Sequence, residues 1–360
     1  MQKRISIKIG SNVLTDNQGK LDMQRIGNLV NQVVQLQKQG FEVMLISSGA
    51  VAAGRSLIKL EQKTDEVSQR QLLASIGQIK LMNIYSDLFE KYNLVCSQVL
   101  VAKEDFRTRR HYLNIQNCLN TLMHNHVIPV INENDVVSVT ELMFTDNDEL
   151  AGLISTMMDA DTLFILSNID GIFTGNPEDK NSKLIPVIDK NLNNIIDFIS
   201  TKKSNFGRGG MITKYGIARK AASSGITVYI ANGKRDNIIL DILEDDTKVL
   251  NTKFSASTKT FNSQIKKWIS YSEGFAKGEV YINKGAKEVL LSNKASSLLL
   301  IGVTEIKGSF KTGDIIKIFD ENKNLLGCGK SQYDSDSAIQ QIGKKDIKEL
   351  IHYDYLYLNN

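Results

Sequence analysis

From Arg4 to Ile230 the chain alternates short apolar runs with longer segments whose apolar residues recur at helical spacing. Residues 4–9 read as a strand. Across residues 23–39, Ile26, Leu29, Val30, Val33 and Leu36 fall on one helical face, and Gly40 follows as a stop. A second strand is expected at residues 41–47, a long amphipathic helix at 67–91 and a third strand at 95–101. A helix over 113–123 then leads into a central strand beginning at Val127. Residues 162–166 and 226–230 complete the strand set, with a helix over 212–224 between them. Strands alternating with helices predict an α/β fold, a mainly parallel central sheet sandwiched by helices.

The pattern changes near residue 250. Residues 253–266 are polar, rich in Ser, Thr and Lys, and read as a linker or an edge element. Short β-like runs follow at 278–282, 297–303, 315–319 and 325–331, separated by Gly- and Asn-rich turns. The expected organisation is a first domain over 1–252, a linker over 253–274 and a small carboxyl-terminal β-rich domain over 275–360.

Composition narrows the function classes. The 360 residues suffice for two domains, and a net charge of +4 is too weak to argue for nucleic acid or a membrane surface. No apolar run approaches the roughly 20 residues that span a bilayer, and MQKRISIKIG lacks the apolar core of a secretory leader. Three dispersed cysteines, Cys96, Cys118 and Cys328, suit a reducing cytoplasm better than a disulfide framework or zinc site. The four histidines, His111, His124, His126 and His352, are scattered, so no protein-built metal site is expected.

Candidate chemistry gathers where strands end and helices begin. After the strand at Val127 comes Asn132-Glu133-Asn134-Asp135, and after a loop Asp146-Asn147-Asp148-Glu149 opens a helix-like segment. In open α/β sheets ligands bind beyond the carboxyl ends of strands, which is where both clusters fall. Any one of Asp146, Asn147 and Asp148 could instead be a helix cap. Lys8, followed by Gly10, ends the first strand and could reach a phosphate while the glycine admits backbone N–H groups. Ser48-Gly49-Ala50 is a small-residue strand-to-helix turn that suits an anionic group, and it lacks the Gly-x-Ser-x-Gly of a hydrolase elbow. Gly207-Arg208-Gly209-Gly210-Met211-Ile212-Thr213-Lys214 runs a glycine loop into a helix with a lysine one turn inside, the combination a phosphate needs. It is neither the P-loop nor the dinucleotide fingerprint. Ser167-Asn168, after the strand at 162–166, begins a loop that could hold an adenine or ribose.

In this order the pieces resemble the glutamate 5-kinase family, of the amino acid kinase fold, over about residues 1–250. Residues 275–360 resemble the PUA domain carried by many of its bacterial members. The resemblance implies transfer of the γ-phosphoryl of ATP to the side-chain carboxylate of L-glutamate, with Mg²⁺, at the start of proline biosynthesis. It implies glutamate contacts from Ser48, Asp135 and Asn147, with Gly49 and Asn132 beside them. ATP contacts are implied for Lys8, Ser167, Asn168 and 208–214, that is Arg208, Gly209, Gly210, Met211, Ile212, Thr213 and Lys214. Asp148 matches the acid that orients two catalytic lysines, Lys8 and Lys214. Where the family usually has Thr-Asp, this chain has Ser167-Asn168, and Arg208 replaces a small Thr. The resemblance also implies proline as feedback inhibitor, glutamyl phosphate reductase as downstream enzyme, and a homo-oligomer. Two alternatives stand beside it. One keeps the fold and changes the acceptor to aspartate, acetylglutamate or a nucleoside monophosphate. The other is RNA binding through the PUA-like part, disfavoured because residues 275–360 hold 12 Lys and no Arg against 11 acidic residues.

Overall fold

The apolar runs of the amino-terminal part become strands of one sheet in the computed structural model, which describes residues 3–58, 65–137, 144, 146–189, 210–257, 263–292 and 295–358. The chain divides into two compact units, Met1–Thr260 and Phe261–Asn360. In the first, β1 (Arg4–Ile9) is followed by the single turn α1 (Ser11–Leu14) and by α2 (Met23–Lys38). Then come β2 (Glu42–Ser47), α3 (Ala50–Arg55), α4 (Glu66–Glu90), β3 (Cys96–Val101), α5 (Arg109–His124) and β4 (Ile128–Glu133). The unit continues with α6 (Asn147–Met157), β5 (Thr162–Ser167), β6 (Val187–Ile188), α7 (Met211–Ser223), β7 (Thr227–Asn232), α8 (Ile238–Asp245) and β8 (Asn251–Phe254).

The strand order is β3-β4-β2-β1-β5-β7-β8-β6. Neighbours are parallel except β7 and β8, which run antiparallel. Parallel neighbours require crossover connections, and the helices in those crossovers cover both faces of the sheet. Strand alternation therefore sends successive side chains into different layers. Ile5, Ile7 and Ile9 of β1 join Ile26, Val30, Leu81, Tyr85, Ile238 and Ile242 in the core beneath α2, α4 and α8. Ser6 and Lys8 point the other way, into the layer of α6 and α7, where both are buried. A β1 of alternating Ile and polar residues thus serves as structure on one face and as a platform for chemistry on the other.

α3 and α4 touch backbone to backbone. A Cβ added at Gly77 would lie 1.9 Å from Ala50 O, and one at Gly54 2.0 Å from Leu73 O. No side chain fits there, so glycine sets how closely α4 approaches the turn after β2.

The second unit opens with α9 (Gln264–Tyr271), then β9 (Gly278–Ile282), α10 (Lys284–Leu291), β10 (Val303–Gly308), β11 (Ile315–Phe319), β12 (Leu325–Lys330), α11 (Ser335–Ile339) and β13 (Leu356–Leu358). Its sheet has the order β10-β9-β11-β12-β13 around a core that includes Val280, Ile282, Leu300, Ile316 and Ile351.

Several boundaries differ from the sequence reading. The expected linker over 253–274 includes the end of β8 and all of α9, whose Trp268 and Ile269 are buried. Two helical turns with two apolar anchors are too short to show a period. The run at 297–303 is not a strand: Leu298 makes an isolated bridge to Ile351, and residues 300–302 form a 3₁₀ turn ahead of β10. Leu298 and Leu300 are core residues all the same, which is why the run reads as apolar. α5 begins at Arg109, ahead of the expected 113, because Thr108 Oγ1 accepts from His111 N (3.3 Å) and caps a polar first turn.

Candidate active site

The carboxyl ends of β1, β2, β4 and β5 face one cavity of about 940 Å³. On its phosphate-like side stands a three-residue ion cluster. Asp148 is wholly buried, with Lys8 Nζ 2.6 Å from its Oδ1 and Lys214 Nζ 2.6 Å from its Oδ2. The cap of α6 is Asp146, whose Oδ1 accepts from Asp148 N (2.9 Å) and Glu149 N (3.2 Å). This frees the Asn147 and Asp148 side chains from capping, and a first-turn position aims Asp148 at the end of β1. Lys214 arrives from the first turn of α7.

The electrostatics follow from burial and this pairing. Burial alone would raise the Asp148 carboxyl, but the charges and hydrogen bonds of Lys8 and Lys214 more than reverse it and hold it well below the usual carboxylate range. Burial, reinforced by Lys214, pushes the Lys8 ammonium down despite Asp148. At Lys214 burial also opposes the charge, but Asp148 and Asp146 outweigh it and raise the ammonium. Burial and then the Asp148 charge lift Asp146 to about 6. Its buried Oδ2 has no hydrogen-bond partner among the described residues.

The acceptor-like side is a chain of amides. Asn147 Nδ2 donates to Ser48 Oγ (2.9 Å) and Asn132 Oδ1 (3.0 Å), and Asn132 Nδ2 donates to Gln78 Oε1 (3.0 Å). Gly49 sits at φ +107, in the left-handed region that suits glycine, and turns the chain from β2 into α3. Asp135 is paired: Arg70 Nε donates to its Oδ1 (2.7 Å), and Arg70 Nη2 reaches Glu133 Oε2 (3.2 Å). Arg70 and Gln78 were not among the residues the sequence singled out, and Glu133 was named only as a member of the Asn132–Asp135 cluster, with no role of its own.

Among the expected nucleotide positions, Ser167, Asn168, Gly210, Met211 and Lys214 line the cavity, as do Lys8, Ser48, Gly49, Asn132, Asp135 and Asn147. Ile212 and Thr213 lie on the first turn of α7 outside that lining, and Ile212 is exposed. Arg208 and Gly209 fall outside the described residues. No group of three or more His, Cys, Asp or Glu side chains suited to a metal occurs among the described residues.

A mainly parallel sheet carrying two lysines on a shared carboxylate, beside an amide-lined pocket, defines a phosphoryl-transfer fold of a particular kind. Residues 3–232 match the amino acid kinase family and residues 278–353 the PUA domain. The chain belongs to the amino acid kinase family. It is 53% identical over 357 residues to the glutamate 5-kinase of Bacteroides thetaiotaomicron, covering 99% of this chain and 98% of that one. It is 44% identical over 357 residues to the glutamate 5-kinase of Chlorobaculum tepidum, covering 99% and 97%. Within the family, the chain groups with the glutamate 5-kinases. A UMP kinase structure from Ureaplasma parvum superposes at a TM-score of 0.49 and 16% identity, over 71% of this chain and 99% of that one.

Proposed function

We propose that this protein transfers the γ-phosphoryl group of ATP to the side-chain carboxylate of L-glutamate, giving L-glutamyl 5-phosphate, the first step of proline biosynthesis. The observation that carries this reading is the Lys8–Asp148–Lys214 cluster opening onto the same cavity as Ser48, Asn132, Asp135 and Asn147. Two anions must meet, so the site needs cations and N–H donors. The nucleophile, a carboxylate with an ordinary pKa of about 4.3, is already ionised at neutral pH and requires no general base. Lys8 and Lys214 hold the transferring phosphoryl from opposite sides, and Asp148 fixes both ammonium groups in place. Asp135 takes the α-amino group, while Ser48 and Asn147 orient the acceptor. Ser167, Asn168 and residues 208–214 hold the nucleotide.

Mg²⁺ fits this site as an ion carried mainly by the triphosphate. Such ions are held by one or two carboxylates plus phosphate oxygens, and Oδ2 of Asp146, buried with no hydrogen-bond partner among the described residues, is an oxygen that could serve it. Bound there, it would neutralise charge building on the phosphate oxygens. We further propose a cytoplasmic homo-oligomer that proline inhibits and that hands its labile product to glutamyl phosphate reductase. No described helix is long and apolar enough to cross a membrane.

The test is ATP consumption by the purified protein with hydroxylamine present to trap acyl phosphate. Hydroxamate should form only with L-glutamate and Mg²⁺ together. Equal turnover with aspartate or uridylate would overturn the acceptor assignment.

A further inference from the structure

We propose that Gln78 directs the amide chain at the acceptor end of the cavity, holding Asn132 so that Asn147 presents its side-chain oxygen, and not its NH₂, to the incoming amino acid. This rests on the glutamate kinase reading above and adds to it a positioning residue and a physical basis for selecting an α-ammonium group.

The direction of the chain follows from one backbone group. Glu133 N donates to Asn132 Oδ1 (2.9 Å), and a peptide N–H can only donate, so the oxygen of Asn132 has to face it. Asn132 Nδ2 is thereby turned towards α4, where Gln78 Oε1 accepts from it (3.0 Å). Asn147 meets the same Asn132 oxygen, so it must offer Nδ2 (3.0 Å), and that NH₂ also donates to Ser48 Oγ (2.9 Å). Asn147 lines the cavity, and its Oδ1 accepts from no group among the described residues. That oxygen is the end of the chain left for a ligand, and an acceptor there selects a donor such as an ammonium group. Turning Asn132 over would reverse the links and present an NH₂, which repels an ammonium.

Gln78 holds this place at a cost to stability. Its Nε2 is buried with no hydrogen-bond partner among the described residues, and a buried donor without a partner is destabilising. Turning the Gln78 amide over gives no relief, because NH₂ would then meet NH₂ at Asn132. A side chain kept for packing alone would be apolar here; the oxygen directed at Asn132 is what an apolar residue lacks. The helix leaves Gln78 little freedom. At its neighbour Gly77 an added Cβ would lie 1.9 Å from Ala50 O, so α4 is seated against α3. Two turns beyond Gln78, Tyr85 shares a buried hydrogen bond with Ser47 Oγ at the end of β2 (2.8 Å). Gln78 is only 8% exposed and stands outside the cavity lining, so it acts through Asn132 and not on the ligand itself.

Gln78→Met tests this, since it keeps the length of the side chain and removes the acceptor. It exchanges one partnerless buried donor, Gln78 Nε2, for another, Asn132 Nδ2, so the unfolding temperature should move little. Glutarate is glutamate without the α-amino group and retains both carboxylates. Wild type and variant are compared on both acids by kcat and KM, or by Ki against glutamate where glutarate reacts slowly. The KM for glutamate should rise about tenfold with kcat within about threefold, because the lost contact orients a binding group and leaves the phosphoryl cluster alone. The glutarate values should move by less than about threefold, so that selectivity for the ammonium falls. Gln78→Glu, whose carboxyl offers Asn132 an acceptor oxygen whether protonated or not, should keep the KM for glutamate within about threefold of wild type. Equal loss on both acids, a fall in kcat alone, or a Gln78→Met protein that fails to fold would make Gln78 a structural residue and overturn the proposal. Wild-type protein that forms no hydroxamate from glutamate would instead overturn the kinase reading itself.

Discussion

Asp148→Asn removes one charge and almost no volume, and the structure sets the scale of the result. Both lysine Nζ atoms lie 2.6 Å from oxygens of this single buried carboxylate. They are therefore at most about 7 Å apart, and at about 6 Å with an effective dielectric near 20 their repulsion is about 3 kcal/mol. With Asp148 present that repulsion is more than offset; with Asn it is not, and the lysine ammonium groups move apart or one loses its proton. Either response withdraws a cation from the phosphoryl group, and about 3 kcal/mol corresponds to roughly a hundredfold in rate. This agrees with the roughly 10²–10³-fold loss when one charge-stabilising donor is removed from an active site. The expected outcome is a kcat lower by two orders of magnitude with little change in KM for glutamate, read by hydroxamate formation. Asp135→Ala should do the reverse and act mainly on KM. A thermal unfolding curve run alongside separates catalysis from folding, and Asp146 continues to cap α6 in the variant. A folded Asp148→Asn protein with kcat within threefold of wild type would refute the assigned role.

Other expectations follow from particular contacts. Because Asp146 is raised from 3.8 to about 6, the folded state favours its protonated form, and that stabilisation is complete below about pH 4 and lost as pH rises through about 6. Asp146→Asn, itself a good cap, should therefore raise the unfolding temperature at pH 8 more than at pH 5, and should remove any acid limb near pH 6 from the kcat/KM profile; an equal gain at both pH values would refute this. Gly77→Ala places a Cβ 1.9 Å from Ala50 O and should destabilise the first unit by about 1–3 kcal/mol or more in denaturant unfolding, while Gly216→Ala, with nothing within 4 Å, should not. A chain ending at Thr260 retains all residues of the proposed site and should fold by circular dichroism and form hydroxamate; a folded but inactive product would refute the separation of the two units.

What the sequence made legible was local. Strands such as Arg4–Ile9 and helices such as Met23–Lys38 are marked by apolar period, and the acidic clusters by their places at strand end and helix start. The two lysines were singled out separately, as groups fit for phosphate, and only the family resemblance joined them through Asp148, which is 66 residues from Lys214. Arg70 and Gln78 carry no comparable mark. They sit on a 25-residue helix whose period signals packing, and their partners Asp135 and Asn132 are 65 and 54 residues away. The choice of Asp146 over its neighbours as cap was also beyond the sequence, because all three residue types can cap a helix.

The two faces of the sheet divide the labour, and the division has an evolutionary consequence. Arg70 and Gln78, which hold Asp135 and Asn132, belong to the layer of α4, whereas Asp148 and Lys214 belong to the layer of α6 and α7. Mutations that reshape one layer leave the core of the other untouched, so a lineage could exchange its acceptor while inheriting the phosphoryl chemistry intact. Asn147 is the exception: it starts α6 yet reaches Ser48 and Asn132 across the top of the sheet. Drift in acceptor preference should leave Asn147 among the last residues free to change.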